Sequence, residues 1–142
     1  MRLRGSTGHC EIRVAPIKAL TKHSRGRRVV TVTDARVKKL HGDKMPGGDI
    51  IVIGQGEGAK TLATVEGIYE QFAEMGVDRS ALVVGMGGGV VCDVAGFAAA
   101  TYHRGLDIAL APTTLLAQVD AAIGGKTGVN LEGYKNIVGV IR

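Results

Sequence analysis

Ala81-Leu82-Val83-Val84-Gly85-Met86-Gly87-Gly88-Gly89-Val90, continued by Val91-Cys92-Asp93-Val94-Ala95-Gly96-Phe97-Ala98-Ala99-Ala100-Thr101-Tyr102, decides the fold. Ala81–Gly85 is an apolar run of strand length, and Val90–Tyr102 is a helix of mostly small residues. Three glycines join them. At such a strand-to-helix turn, glycine lets backbone N–H groups approach a ligand closely, and the helix turns its positive end toward an anion. The pattern departs from the dinucleotide fingerprint G-x-G-x-x-G, because position 90 is Val, and a start at Gly87 puts Cys92 where the third glycine belongs. A tight connection with no ligand is the alternative.

Working outward, Arg28–Thr33 (RVVTVT) is a β-branched run ending at Asp34, Asp49–Ile53 (DIIVI) is a second, and Asp107–Ala111 (DIALA) precedes Pro112 as a third. Between Gly58 and Gly76, the residues Leu62, Val65, Ile68, Tyr69, Phe72 and Met75 recur by threes and fours, which predicts an amphipathic helix stopped by Gly76. Strands alternating with helices predict an α/β fold, a parallel sheet covered on both faces. Cys10–Val14 alternates as a half-exposed N-terminal edge strand would, and Pro16 opens a short helix. From Gly124 to Arg142 the chain reads as irregular, with Ile137–Ile141 its one candidate strand. All 142 residues are expected to form a single domain.

Composition narrows the function. With 45% hydrophobic and 22% charged residues the chain is globular, and the 22 glycines exceed an average usage of about 7% without collagen or linker periodicity. A net charge of +5 favours anionic partners. Cys10 and Cys92 are far apart, which argues against a disulfide framework or zinc ribbon. The most apolar stretch is broken by Asp93 and glycines, and the N-terminus carries charge where a signal peptide would be apolar, so a soluble, cytoplasmic protein with no membrane partner is expected. The basic run Lys18, Lys22, Arg25, Arg27, Arg28 lacks interleaved aromatics, so it reads as a solvated helix end rather than a nucleic-acid site. His9, His23, His41 and His103 form no metal-ligand spacing, and no metal site is assigned.

Two further segments carry candidate chemistry. Gly54-Gln55-Gly56-Glu57-Gly58-Ala59-Lys60-Thr61 follows the DIIVI strand, where parallel sheets bind ligands; Glu57 suits ribose hydroxyls and Lys60 suits phosphate, against a plain solvated cap and turn. Gly124-Gly125-Lys126-Thr127 is similar to the end of a P-loop, but Asp120 stands where the first glycine belongs, so Lys126 is read as an anion ligand outside that architecture.

From Gly87 the chain reads GGGVVCDVAGFAAATYHRG, then APTTLLAQVDAAIGGKTGVN, then YKNIVG, preceded by GEGAKT and VTVTD. Over Val29 to about Ile141 this closely resembles the 3-dehydroquinate synthase family. The resemblance implies a Rossmann-like NAD-binding domain, with NAD as cofactor, and a separate helical domain holding a divalent metal, zinc or cobalt, whose ligands lie outside these 142 residues. It implies conversion of a phosphorylated sugar acid, 3-deoxy-D-arabino-heptulosonate 7-phosphate, to 3-dehydroquinate and phosphate in the shikimate route. The steps are an NAD redox cycle, phosphate elimination and aldol closure, in a homodimeric complete enzyme; the present residues alone are expected to be inactive.

Carried over by position, Asp34 corresponds to the adenosine-ribose carboxylate, Glu57 and Lys60 to cofactor contacts, and Gly88, Gly89 and Val90 to the pyrophosphate cradle. Asp93 corresponds to a residue beside the nicotinamide ribose, and Thr113, Thr114 and Leu116 to the cofactor's other side. Asp120, Lys126 and Asn136 correspond to residues around the reacting sugar acid, and Arg104 and Lys135 to basic positions near its anionic groups or the cofactor. Arg36 stands where the family usually has Asn, and Cys92 where glycine is common. A related sugar-phosphate cyclase of secondary metabolism and a non-catalytic NAD-binding module are the rival readings.

Overall fold

The structure, a computed structural model, describes residues 1–4, 9–24 and 26–141. In chain order the strands are β1 (Arg2–Arg4), β2 (His9–Glu11), β3 (Val29–Asp34), β4 (Asp49–Ile53), β5 (Leu82–Gly87), β6 (Asp107–Pro112), β7 (Lys126–Leu131) and β8 (Tyr134–Ile141). The α-helices are α1 (Ala19–His23), α2 (Ala35–His41), α3 (Leu62–Glu74), α4 (Gly89–Thr101) and α5 (Leu115–Val119).

The three β-branched runs and the ALVVG segment become a four-stranded parallel sheet in the order β4-β3-β5-β6. Alternation along its strands sends Val30, Val32, Ile51 and Val83 to one face, against Val65, Ile68 and Phe72 of α3 and Val91, Val94 and Ala98 of α4. Val29, Leu82, Val84 and Met86 face the other side, against Val37 of α2 and the partly buried Ile17 and Leu20. The sheet is therefore covered on both faces, which is why its central strands read as nearly unbroken apolar runs.

Glycines in β5 permit this packing. A Cβ at Gly85 would lie 2.9 Å from both Ala95 Cβ and Leu110 Cδ2, and one at Gly87 would lie 2.5 Å from Val91 Cγ2. α3 stops where expected: Gly76 takes φ 62°, its N–H donates to Ala73 O, and Val77 N donates to Phe72 O at 2.8 Å.

Three expectations are corrected. The N-terminal strand forms at His9–Glu11 but pairs antiparallel with β1 as a separate ribbon instead of edging the parallel sheet. Its predicted extension has no buried face to dock, since Val14 is fully exposed, while the chain's own start lies close in sequence; Met1 N donates to Ile12 O at 2.8 Å. The stretch from Gly124 is less irregular than expected: from Lys126 it forms an antiparallel hairpin, β7 with β8, in which the candidate strand Ile137–Ile141 is the second half of β8, and Arg142 lies outside the described residues. Glu132 (φ 48°) and Gly133 (φ 84°) make its turn. Finally, within the basic run, Arg27 donates to Ser80 O and Ala81 O and pairs with Asp107 at 2.9 Å. Arg28 donates to Met75 O and Gly76 O at the end of α3 and pairs with Asp49 at 3.1 Å. Arg28 thereby satisfies carbonyls at the end of α3 and meets the negative end of its dipole, and Arg27 ties the carbonyls just before β5 to the start of β6, so both arginines are structural clamps. Arg25 lies outside the described residues, and Lys18 and Lys22 are exposed.

No helix among the described residues is long and apolar enough to cross a membrane.

Candidate functional site

The carboxyl ends of the parallel strands converge on one rim. After β5, Gly88 is the N-cap of α4, and at Gly89 an added Cβ would meet nothing within 4 Å. The first N–H groups of α4 there lie before the intrahelical ladder begins, since Cys92 N is the donor that reaches Gly88 O. The loop after β6 is tied to this turn by Thr113 N donating to Gly87 O at 2.8 Å. Thr114 touches the position of a Gly88 Cβ at 3.4 Å and caps α5 through Ala117 N. Leu116 projects from α5 and is 73% exposed. Cys92 is buried against Gly87 O, and burial pushes its thiol up to about 12.

After β4, Gly56 (φ 75°) opens a short 3-10 turn over Glu57–Ala59 that delivers Lys60 inward. Lys60 is 5% exposed, and its Nζ donates to Asp93 Oδ2 on α4 and to Asn136 Oδ1 on β8. A buried ammonium without such partners would cost several kcal/mol, about the penalty of an uncompensated ion. Burial raises the Asp93 carboxyl above the ordinary carboxylate range, against the opposing pull of Lys60.

Lys60, Asp93 and Asn136 thus join three separate elements. A cleft of about 330 Å³ is lined by Glu57, Lys60, Gly89, Val90, Asp93 and Leu116. A second of about 480 Å³ is lined by Asp120, Lys126, Thr127 and Ile141, and it shares Asp93, Asp120 and Asn136 with the first. The shared walls make one continuous groove. In it Lys126 Nζ stands 3.9 Å from Asp120 Oδ1, with both side chains largely exposed. Lys126 begins a strand, so no P-loop helix follows Gly124–Thr127.

Asp34 sits at the end of β3, where its Oδ1 accepts from Val37 N at 2.9 Å and caps α2; Arg36 is exposed in the first turn of that helix. Lys135 is exposed on β8 beside Asn136 and lines neither cleft. Arg104 is not brought to the groove. It follows the C-terminal end of α4, with φ 64°, and 13 helical residues at 1.5 Å each carry it about 20 Å away, to the amino edge of the sheet.

Two residues given no role above hold the hairpin in place. Thr127 Cγ2 occupies the space left by Gly96, where a Cβ would lie 2.3 Å away, and its Oγ1 donates to Val140 O. Asn130 donates through Nδ2 to Glu57 Oε1 at 2.8 Å, while its Oδ1 accepts from Asn136 N at 2.9 Å. Both lie in the GGKTGVN segment, and no local pattern in the sequence marks them, since their partners are distant in the chain.

Residues 50–142 match the family model described as 3-dehydroquinate synthase N-terminal. A 3-dehydroquinate synthase from Ruminiclostridium cellulolyticum is 45% identical over 130 residues, covering 86% of this chain and 36% of the relative. One from Pyrococcus furiosus is 60% identical over 89 residues, covering 63% of this chain and 26% of the relative. The chain therefore spans about a third of the length of the curated relatives it matches. Among solved structures, a 2-epi-5-epi-valiolone synthase from Streptomyces hygroscopicus, with NAD+ and Zn2+ bound, superposes with a TM-score of 0.75 at 36% identity, covering 82% of this chain and 34% of that one.

Proposed function

The chain belongs to the 3-dehydroquinate synthase family, and from that premise we propose that it binds NAD in the smaller cleft and supplies part of the site for 3-deoxy-D-arabino-heptulosonate 7-phosphate, which the enzyme converts to 3-dehydroquinate and phosphate. The observation that carries this reading is the buried Lys60–Asp93–Asn136 junction set beside an open glycine turn. An unfilled space at Gly89, free N–H groups at the head of α4 and a neighbouring cation fit a dinucleotide's pyrophosphate. NAD, when bound, supplies reversible hydride acceptance from a secondary alcohol.

The chain's own residues bind and orient. Gly88, Gly89 and Val90 present backbone to phosphate oxygens, Glu57 and Asp93 accept from ribose hydroxyls, and Thr113, Thr114 and Leu116 form the wall opposite. Asp34 retains a role at the adenosine end through whichever acceptor capacity its cap leaves. Lys126 offers an exposed ammonium to the anionic sugar acid, with Asp120 and Asn136 as polar neighbours and Lys135 near the rim; a charge-assisted hydrogen bond contributes about 1.5–3 kcal/mol. Among the described residues no three His, Cys, Asp or Glu side chains gather as metal ligands, and no step is assigned through a metal. A homodimeric, cytoplasmic enzyme is part of the same reading, supported by family membership alone and tested by sedimentation and fractionation.

The superposable valiolone synthase favours a second reading, a cyclase acting on another sugar phosphate. Phosphate release by the full-length enzyme across a panel of sugar phosphates decides between them. Turnover confined to the seven-carbon acid supports the first reading, and turnover of a sugar phosphate lacking the carboxylate supports the second.

A further inference from the structure

Asn130 is tied to both rims of the cofactor cleft. Its side chain bridges Glu57, on the turn after β4, and the backbone of Asn136, on the hairpin. Its own N–H donates to Lys60 O at 2.9 Å, and it forms a parallel bridge with Thr61. The register of the hairpin shifts between Val129 and Leu131, across Asn130 itself, and Asn136 stands opposite with φ 55°. A non-glycine residue is uncommon in that left-handed region, which Asn enters more readily than most, and neighbouring contacts help hold it there.

The chemistry of the bridge is directional. A carboxylate accepts only and a backbone N–H donates only, so the residue between them must offer one donor and one acceptor. An amide does this in one orientation; flipped, it would set oxygen against Glu57 and NH2 against the Asn136 N–H. Asp in its place would set a second carboxylate against Glu57. Fixing Asn136 in turn aims its Oδ1 at Lys60 Nζ, which also donates to Asp93.

We propose that Asn130 is a positioning residue: its amide locks Asn136 in the left-handed conformation and so sets the Lys60–Asp93 pair that the cofactor cleft requires. This rests on the NAD reading above only for its functional consequence. Two readouts separate the two claims. In NMR spectra of the protein, Asn130→Ala moves the Asn136 carbon shifts away from left-handed values and deprotects its amide, whether or not NAD binds. In titrations with NAD, Asn130→Asp raises Kd about tenfold, the loss of one hydrogen bond to a charged group. In a Glu57→Gln background, where the Gln amide donates to the new carboxylate, the same change raises Kd no more than about threefold.

Unchanged Asn136 shifts in Asn130→Ala overturn the proposal. So do equal effects of Asn130→Asp in both backgrounds, or global unfolding of every Asn130 variant, which would make the residue merely structural. If the wild-type protein binds no NAD, the function reading fails, and the NMR arm still decides the role of Asn130.

Discussion

The groove holds two lysine–carboxylate pairs that differ in every physical respect but charge. Lys60 and Asp93 are close, with side chains 6% and 19% exposed, and a third group, Asn136, completes the ammonium's bonding. Lys126 and Asp120 stand 3.9 Å apart with side chains 71% and 64% exposed. The first pair is a structural joint whose partners compensate each other's desolvation. The second is solvated, contributes little to folding, and leaves its groups available to a ligand. One half of the groove, where the cofactor is proposed to bind, is therefore built into the fold, and the half proposed for substrate is displayed on it.

The sharpest way to break this contrast is Lys60→Met. Removing one partner of a buried pair costs about 3–5 kcal/mol, and Asp93's residual access to solvent puts the expected loss near 3 kcal/mol, read from urea denaturation. A loss below about 1 kcal/mol would place this pair in the same class as the exposed one.

Gly96→Ala tests how the displayed half is held. The added methyl would press on Thr127 Cγ2 and lift the hairpin from α4, destabilising by about 1–3 kcal/mol, the usual range for overpacking. Adding Thr127→Ser, which removes that methyl and keeps the hydroxyl bonded to Val140 O, should recover most of the loss in thermal melts.

A smaller effect is expected with pH. The Asp93 carboxyl titrates above its ordinary value of 3.8 in the folded protein because burial disfavours its charge. The folded state therefore holds this proton more tightly than the unfolded chain, so the stability it contributes is present below that ordinary value and lost as pH rises through the raised one. Asp93→Asn, which has no such proton to lose, should show a smaller fall in stability than the wild type across that window. A difference between the two that stays flat with pH would mean that Lys60 offsets burial in full, and one of opposite sign that Lys60 outweighs it.

Smallest of all is the stability change of Lys126→Ala, less than about 1 kcal/mol for a solvated pair, alongside complete loss of turnover in the enzyme that carries it. Near-normal turnover would remove Lys126 from the site.

The contrast also explains what the sequence could reveal. Periodicity marked β3, β4, β5, β6 and α3 because each buries a face of regular spacing, and the glycine turn was legible because few other reasons place three glycines at a helix start. The hairpin was not, since Gly128 and Gly139, where a Cβ would come within 2.7 Å and 2.2 Å of opposing carbonyl oxygens, resemble loop glycines until the partner strand is known. β8 is also largely exposed, so only its apolar second half, Ile137–Ile141, was legible. Arg104 shares a motif with the helix that begins at the groove, and α4 places it at the opposite end of that helix. Asn130 was invisible because its role depends on Glu57, 73 positions away in sequence.

The central claim is that the rim built by Gly88, Gly89, Lys60 and Asp93 is a self-sufficient dinucleotide cleft. A calorimetric titration of the folded protein with NAD, and with ATP as the competing nucleotide, tests it most directly. The account predicts NAD binding with a Kd of about 1 mM or tighter, some −4 kcal/mol, and weaker binding of ATP. No heat with NAD from a folded sample, or a preference for ATP, would contradict it.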